Sequence, residues 1–275
     1  MAANYRALML MKPGGPKALQ IVELPVVAPG PGQLRVRVRA AGVGSTDLIV
    51  LAGKYRYAPK ILLAPGYEVA GVVEAIGAGV TGFKVGDRVA ALTVYGGFAK
   101  LIVREAEHFL PIPDDVSDRD AAAVILNYVT AWQMIYRGRG TNRLSGAATP
   151  GRRLRVRRGR RSQHWSVHRC AASGRDVGGI WFHGGFHNAF PAIHVRQYLH
   201  RARLRGRQGK FYGITMLYRK DPKPLREDLP KIFELLGPKK IDPLVHCTFP
   251  LLDARKALEL LATGSVEGKI VLTYS

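Results

Sequence analysis

The chain has 275 residues, 47% of them hydrophobic, which fits a globular protein with one large domain or two ordinary ones. No run reaches the roughly 18 apolar residues of a membrane span. The N-terminus predicts a strand rather than a signal peptide, and two cysteines cannot form a disulfide framework, so a cytoplasmic protein is expected. The net charge of +22 would normally indicate a nucleic-acid partner, but most of it lies in residues 137–207, which contain 17 arginines, no lysine and one acidic residue.

The first 125 residues alternate short apolar stretches with glycine and proline turns, which is typical of an antiparallel β domain. In residues 34–40, Val36 and Val38 alternate with arginines, so one face of this strand is predicted to be buried and the other exposed. The apolar, β-branched stretch 66–77 predicts a strand that is buried on both sides. Further strands are predicted within residues 5–10, 20–24, 82–92 and 96–103.

Helices are predicted after this β region and again near the C-terminus. Ser117, followed by two acidic residues, is a typical N-cap for a helix that ends at Leu126, and a second helical stretch covers residues 127–136. Beyond residue 209 the pattern predicts a strand over 210–216 and a strand over 269–274. Two amphipathic helices, 225–236 and 251–262, lie between these strands.

Several motifs resemble the medium-chain dehydrogenase/reductase family. Residues 5–136 resemble its GroES-like catalytic domain, and residues 209–275 resemble its closing segment. The matching motifs are Ala40-Ala-Gly-Val-Gly-Ser-Thr-Asp47, Pro65-Gly-Tyr-Glu68, Gly82-Phe-Lys-Val-Gly-Asp-Arg-Val89, Asn127-Tyr-Val-Thr-Ala-Trp132, Thr248-Phe-Pro250 and Gly268-Lys-Ile-Val-Leu272.

This resemblance implies an α/β fold that combines a GroES-like β barrel with a truncated, Rossmann-like doubly wound domain. The expected domains are a catalytic domain over 1–125, a nucleotide-binding domain over 126–245, and a segment over 246–275 that returns to the catalytic domain.

The zinc ligands of the family are replaced in this chain. Zinc-dependent relatives have Cys, His and Cys where this sequence has Gly44, Tyr67 and Leu126, and a catalytic zinc needs three protein donors. The resemblance therefore narrows to zinc-independent quinone oxidoreductases, which transfer a hydride from NADPH to a quinone or an α,β-unsaturated carbonyl. No metal is expected, and no residue is assigned as a general acid or base because the cofactor supplies the chemistry.

The resemblance also implies which residues form the site. Tyr55 and Thr130 are expected in the cleft near the nicotinamide, Gly213 in the loop that approaches it, and Lys269 near the cofactor phosphates. Asp47 is expected to border the pocket of a small-molecule substrate, and a homodimer is left open. A purely structural explanation also exists for each: Thr130 as an ordinary helix residue, Tyr55 as a surface aromatic, and Lys269 as a solvated strand end.

The expected glycine-rich phosphate turn is missing. A dinucleotide site needs a strand, spaced glycines and a helix N-terminus, whereas residues 141–161 hold Pro150 and a run of arginines. The segment from Asn127 to Gln208 has only 82 residues, and residues 137–207, the arginine-rich window, contain six of the eight histidines. This composition suggests that residues 137–208 were translated in a wrong reading frame of a GC-rich gene, with genuine sequence divergence as the alternative. The sharp boundaries of the segment favour the frame shift, and the nucleotide-binding domain is predicted to be aberrant there.

The arginine-rich window allows three interpretations. Without the turn, the chain as written is predicted to show little or no NADPH-dependent quinone reduction. The alternative function is an inactive remnant that binds nucleic acid non-specifically through arginines such as those of residues 151–161. Zinc ligation by His164 with His168, or by His183 with His187, is the third interpretation, and Gly184-Gly185 argues against a helix presenting the second pair.

Overall fold

A computed structural model describes residues 3–137, 154–158, 164–169, 177–182 and 210–274. The chain divides into two compact units: unit 1 contains residues 1–129 and 221–275, and unit 2 contains residues 130–220. The domain limits expected from the resemblance stay predictions. In the part of the chain that the structure describes, no helix is both long enough and apolar enough to cross a membrane.

Strands and helices follow one another in the order expected for an α/β protein, which confirms the predicted fold class. The strands are β1 (Asn4–Leu10), β2 (Leu19–Pro25), β3 (Gln33–Val43), β4 (Glu68–Ile76), β5 (Arg88–Leu92), β6 (Leu101–Glu105), β7 (Phe109–Pro111), β8 (Leu154–Arg158), β9 (His164–Arg169), β10 (Val177–Phe182), β11 (Lys210–Phe211), β12 (Val245–Pro250) and β13 (Lys269–Thr273). The helices are α1 (Ser45–Leu51), α2 (Asp118–Tyr136), α3 (Ile214–Lys220), α4 (Lys223–Leu236) and α5 (Ala254–Ala262).

Unit 1 is built on a seven-stranded sheet in which β3 is the central strand. The order is β12-β13-β3-β4-β5-β7, and β6 pairs with the first half of β3. Strand β13 runs antiparallel to β3, and β12 runs parallel to β13. Strands β1 and β2 form a separate antiparallel ribbon, which is joined to the rest by bridges at Ala7–Ala99 and Leu10–Leu63.

The alternating pattern of β3 is confirmed by its burial. Val36 and Val38 point into the core, whereas Arg35 and Arg37 reach across to Glu74 on β4. The arginines of this strand are therefore ion-paired surface residues. The same core also buries Phe98 and Phe109, together with the inner face of α5.

Helix α2 is one continuous helix of 19 residues, although two stretches were predicted. Its start is as expected: the backbone amide of Asp120 donates a hydrogen bond to Ser117 Oγ at 3.1 Å. The predicted helices 225–236 and 251–262 are also confirmed as α4 and α5, the latter preceded by a 3-10 turn at Leu251–Asp253.

The predicted strand over residues 210–216 is wrong beyond its first two residues. Strand β11 ends at Phe211, and helix α3 begins at Ile214. The carbonyl of Gly213 accepts the first helical hydrogen bond, from the amide of Leu217 at 3.1 Å. An apolar stretch of this length does not distinguish a strand from the first turn of a helix.

The described strands of unit 2 form a four-stranded sheet in the order β11-β10-β9-β8. Strands β8, β9 and β10 run antiparallel, and only β10 and β11 are parallel. The expected doubly wound domain would have a parallel sheet, and the short connections between these strands explain why this sheet is mostly antiparallel. Five residues connect β8 to β9 and seven connect β9 to β10, whereas a parallel crossover needs about a dozen or more.

Candidate active site

A buried ion pair joins two strands on either side of β3. The ammonium group of Lys269 on β13 lies against Oε1 of Glu68 on β4, and both side chains are almost fully buried. The contact is an ion pair by distance, although its angles are not those of a hydrogen bond. Gly42 on β3 makes room for it, because a Cβ there would collide with the Glu68 carboxylate and lie 2.7 Å from Cε of Lys269.

The second oxygen of Glu68 connects this pair to helix α2. Glu68 Oε2 accepts a hydrogen bond from the backbone amide of Leu126 at 2.6 Å. One buried carboxylate therefore contacts β13 through a charge and α2 through a backbone amide. A buried carboxylate requires such partners, because an unpaired charge in the interior is strongly unfavourable.

Asp47, on the first turn of α1, is the second buried carboxylate. Its Oδ2 accepts the amide of Gly44 at 2.8 Å, and its Oδ1 accepts the amide of Gly66 at 3.0 Å. Burial raises the pKa of Asp47 to about 6, and the two amides and nearby Lys269 oppose that shift. Asp47 thus holds together two backbone segments, and its role at the substrate pocket stays a prediction.

The residues at the family's zinc positions do not fit a zinc ion. A Cβ on Gly44 would lie 3.7 Å from Cδ2 of Leu126 and 3.8 Å from both Oδ2 of Asp47 and Nζ of Lys269. Asp47 is the one carboxylate among these three contacts, and both of its oxygens already accept backbone amides. A cationic group here opposes a second cation, and no step of the reaction is assigned to a metal.

In the described ranges, no group of three His, Cys, Asp or Glu residues is placed to hold a metal ion. His164 and His168 both lie on β9, a strand, where residues four apart are separated by about 13 Å. The spacing of this pair would suit one metal ion on a helix but not on a strand. His183 and His187 lie outside the described residues.

Tyr67, at the position of the family's histidine ligand, forms a pair with Tyr55. Their hydroxyl oxygens are 2.9 Å apart, and the rings meet edge to face with centroids 6.1 Å apart. Tyr67 is 1% exposed, whereas Tyr55 is partly buried at the edge of the core. Burial, followed by Tyr55 and the carboxylates Asp47 and Glu68, raises the pKa of Tyr67 well above its usual value.

In unit 2, the described residues bring Thr130 and the segment that contains Gly213 to the same part of the fold. The hydroxyl of Tyr212 donates a hydrogen bond to Oε1 of Gln133 on α2. Gln133 lies three residues after Thr130, hence on the same face of the helix, and Tyr212 immediately precedes Gly213. Thr130 is 3% exposed, and its hydroxyl has no hydrogen-bond partner among the described residues.

The predicted site residues are thus divided between the two units: Tyr55, Asp47 and Lys269 belong to unit 1, and Thr130 and Gly213 to unit 2. Lys269 is not a solvated strand end, because it is 5% exposed and paired with Glu68. Its assignment to the cofactor phosphates stays a prediction, and its burial favours a structural role.

Glu68 was not predicted as a site residue, and Tyr67 was recognised only as a replaced zinc-ligand position. The usable signal was an acidic residue at the head of the apolar stretch 68–73, since a carboxylate in a buried strand needs a partner.

Comparison with protein families identifies both halves of the chain. The model of the alcohol dehydrogenase GroES-like domain matches residues 30–114, and that of the zinc-binding dehydrogenase family matches residues 151–272. The chain belongs to the medium-chain dehydrogenase/reductase superfamily. The second match begins at residue 151 and includes most of the arginine-rich window.

Two curated relatives illustrate the similarity within the superfamily. The synaptic vesicle membrane protein VAT-1 homolog-like from Homo sapiens is 38% identical over 135 residues, which are 49% of this chain and 32% of the relative. The quinone oxidoreductase of Rattus norvegicus is 34% identical over 133 residues, which are 48% of this chain and 40% of the relative. The chain therefore spans well under half the length of these relatives.

Solved structures of superfamily members share the fold over nearly the whole chain. The human synaptic vesicle membrane protein VAT-1 homolog-like structure has a TM-score of 0.73 at 21% identity and covers 99% of both chains. The quinone oxidoreductase from Coxiella burnetii has a TM-score of 0.69 at 17% identity, covering 98% of this chain and 99% of its own. At such identities the likeness establishes the fold.

Proposed function

We propose that this chain is an oxidoreductase that reduces a quinone or an α,β-unsaturated carbonyl with NADPH. Support comes from its superfamily, which includes a curated quinone oxidoreductase, and from replacement of the zinc ligands by Gly44, Tyr67 and Leu126. A reaction without a metal or a side-chain nucleophile agrees with direct hydride transfer, which the bound NADPH would supply.

The single observation that carries the proposal is the hydroxyl of Thr130. A buried hydroxyl without a partner is unfavourable by about 1–3 kcal/mol, so it is expected to meet a ligand group that can pair with it. A carboxamide, such as that of nicotinamide, offers both a donor and an acceptor. Thr130 therefore fits the cofactor, and Gly213 in the adjoining segment would leave its backbone open to close approach.

Tyr55 is the residue proposed to act on the substrate. Reduction of a quinone or an enone requires one hydride and one proton, and the partly buried hydroxyl of Tyr55 can donate a proton or a hydrogen bond to the substrate oxygen. The raised pKa of Tyr67 makes Tyr67 a poor proton donor by comparison. We place Tyr55 next to the reacting carbonyl and keep Asp47 as a positioning residue of unit 1.

The alternative function, a remnant that binds nucleic acid non-specifically, is less well supported. Its basis was an arginine-rich window without superfamily pattern, and the second superfamily match passes through that window. The phosphate-binding segment expected there lies outside the described residues. The frame-shift hypothesis, the choice of NADPH over NADH and a homodimer stay predictions. We further propose a cytoplasmic location, in keeping with a chain that contains two cysteines.

The test is a steady-state assay of the full chain with NADPH and 1,4-benzoquinone, in which loss of NADPH absorbance is followed. The prediction of little or no activity rested on the missing glycine turn, and we replace it here because the second superfamily match includes most of that window. We expect saturable NADPH oxidation that requires the quinone and falls at least tenfold in Tyr55→Phe, while Tyr5→Phe, on β1, retains the wild-type rate. Absence of quinone-dependent oxidation, together with DNA binding that is lost steeply as salt rises, would instead favour the remnant.

A further inference from the structure

Tyr67 and Tyr55 form a hydrogen bond whose direction decides what each hydroxyl can do. With the oxygens 2.9 Å apart, one tyrosine must donate its proton to the other. The edge-to-face packing of the two rings, at an interplanar angle of 65°, holds this contact in place. Tyr67 is the rigid member, because its side chain lies in the interior and its backbone carbonyl accepts the amide of Thr93 at 2.9 Å.

The surroundings of Tyr67 favour the protonated form. The groups that face it are Tyr55 and the two buried carboxylates Asp47 and Glu68, and each of them opposes a negative charge on the Tyr67 oxygen. Lys269 does not offset this effect, since its ammonium group is paired with Glu68. Loss of the proton from Tyr67 is therefore less favourable than loss of the proton from Tyr55, which is only partly buried.

We infer that Tyr67 is a positioning residue, which donates a permanent hydrogen bond to Tyr55 and so makes the Tyr55 hydroxyl the proton donor to the substrate oxygen. This inference rests on the proposed function. When a hydride adds to the conjugated carbonyl, the π electrons move onto its oxygen. The O–H bond of Tyr55 breaks, its proton passes to that oxygen, and the hydrogen bond from Tyr67 stabilises the Tyr55 phenolate until solvent returns a proton.

This assignment gives a function to the position at which zinc-dependent relatives carry a histidine. A metal ligated there would polarise the substrate oxygen directly. In this chain the same position supports an O–H donor instead, and the ammonium group of Lys269 lies near Gly44, close to where the other ligands would be. The loss of zinc ligands is thereby accompanied by a different way to stabilise charge on the substrate oxygen.

The direction of the hydrogen bond can be measured without any activity. The full chain is labelled with 13Cζ-tyrosine and studied by NMR in an equal mixture of H2O and D2O, where a slowly exchanging hydroxyl gives two resolved Cζ signals. Tyr67 is expected to give two signals and Tyr55 one, with assignments from Tyr67→Phe and Tyr55→Phe. Two signals for Tyr55 and one for Tyr67 would overturn the inference.

The catalytic part is tested by kinetics with NADPH and 1,4-benzoquinone. Tyr67→Phe keeps the ring and removes one hydrogen bond to a developing charge, so kcat should fall about tenfold while KM for NADPH changes less than twofold. The double variant Tyr55→Phe/Tyr67→Phe should be no slower than Tyr55→Phe alone, because Tyr67 acts only through Tyr55.

Two outcomes would contradict the catalytic role. The first is an unchanged kcat in Tyr67→Phe, and the second is a fold decrease of kcat in the double variant that equals the product of the two single decreases. A purely structural role predicts the second outcome. If the wild-type chain reduces no quinone, the proposed function itself is contradicted, and the positioning role falls with it even if the NMR signals show Tyr67 as the donor.

Discussion

The apolar core of unit 1 and its buried charge cluster (Asp47, Glu68 and Lys269) lie in the same interior but respond differently to change. The core around β3 consists of aliphatic and aromatic side chains whose contacts are numerous and individually weak, so removal of one methyl group affects only part of the packing. In the charge cluster each group has a few specific partners, and removal of one partner leaves a charge in the interior. We therefore expect the first region to tolerate small substitutions and the second to depend on each of its members.

The largest expected effect is on folding stability in Lys269→Met. This substitution gives an uncharged, unbranched side chain one atom shorter and leaves the Glu68 carboxylate without its cation, which should lower the free energy of unfolding by about 3–5 kcal/mol. The adjacent change Ile270→Val, in the apolar core, should lower it by about 1 kcal/mol. Urea unfolding measures both quantities.

The double variant Glu68→Gln/Lys269→Met tests whether the loss of stability comes from the unpaired charge of Glu68. With both charges removed, the amide of Gln can still accept a hydrogen bond from Leu126, so the double variant should be more stable than Lys269→Met alone. If Lys269→Met is no less stable than Ile270→Val, the pair does not behave as a buried charge cluster.

The next effect concerns Asp47 and pH. Its folded pKa of about 6 lies above its usual value, so the folded state binds the proton more tightly than the unfolded state does. This contribution to stability is complete below about pH 4 and is lost as the pH rises through 6, by about 3 kcal/mol for a shift of about two pKa units. Asp47→Asn cannot ionise, so the stability advantage of wild type over this variant should shrink between pH 4 and pH 7. A difference that is constant over this range would show that the pKa of Asp47 is not raised.

The smallest expected effect is that of zinc removal. Because Gly44, Tyr67 and Leu126 supply no ligand set and Lys269 places a cation nearby, we expect no stoichiometric zinc by elemental analysis. Incubation with a chelator should leave the unfolding midpoint in urea unchanged. One tightly held zinc per chain would contradict the structure of this region.

Local patterns predicted the parts of the fold that depend on nearby residues. The alternation of valine and arginine predicted the two faces of β3, and Ser117 with the acids that follow predicted the start of α2. The stretch 210–216 was mispredicted because its apolar residues suit a strand as well as a helix, and the break at Gly213 decides between them.

The arrangement of the candidate site depends on contacts between distant segments. The pairing of Lys269 with Glu68 follows from the position of β13 beside β3, which no local pattern contains. Tyr67 could be recognised as a substituted zinc position, but its contact with Tyr55 follows only from the packing of the two rings. The sequence therefore indicates the residues of the candidate site more readily than it indicates the contacts of each residue.

The most direct test of the account is an NADPH fluorescence titration of the wild-type chain, Thr130→Val and Thr130→Ser. We predict saturable, micromolar binding to wild type and to Thr130→Ser, and affinity about five- to tenfold weaker in Thr130→Val, which loses the hydroxyl but keeps the shape. Because this hydroxyl has no partner among the described residues, Thr130→Val should unfold at the same urea concentration as wild type or higher. No saturable binding to wild type, or equal affinity in Thr130→Val, would contradict the claim that this chain holds NADPH at Thr130.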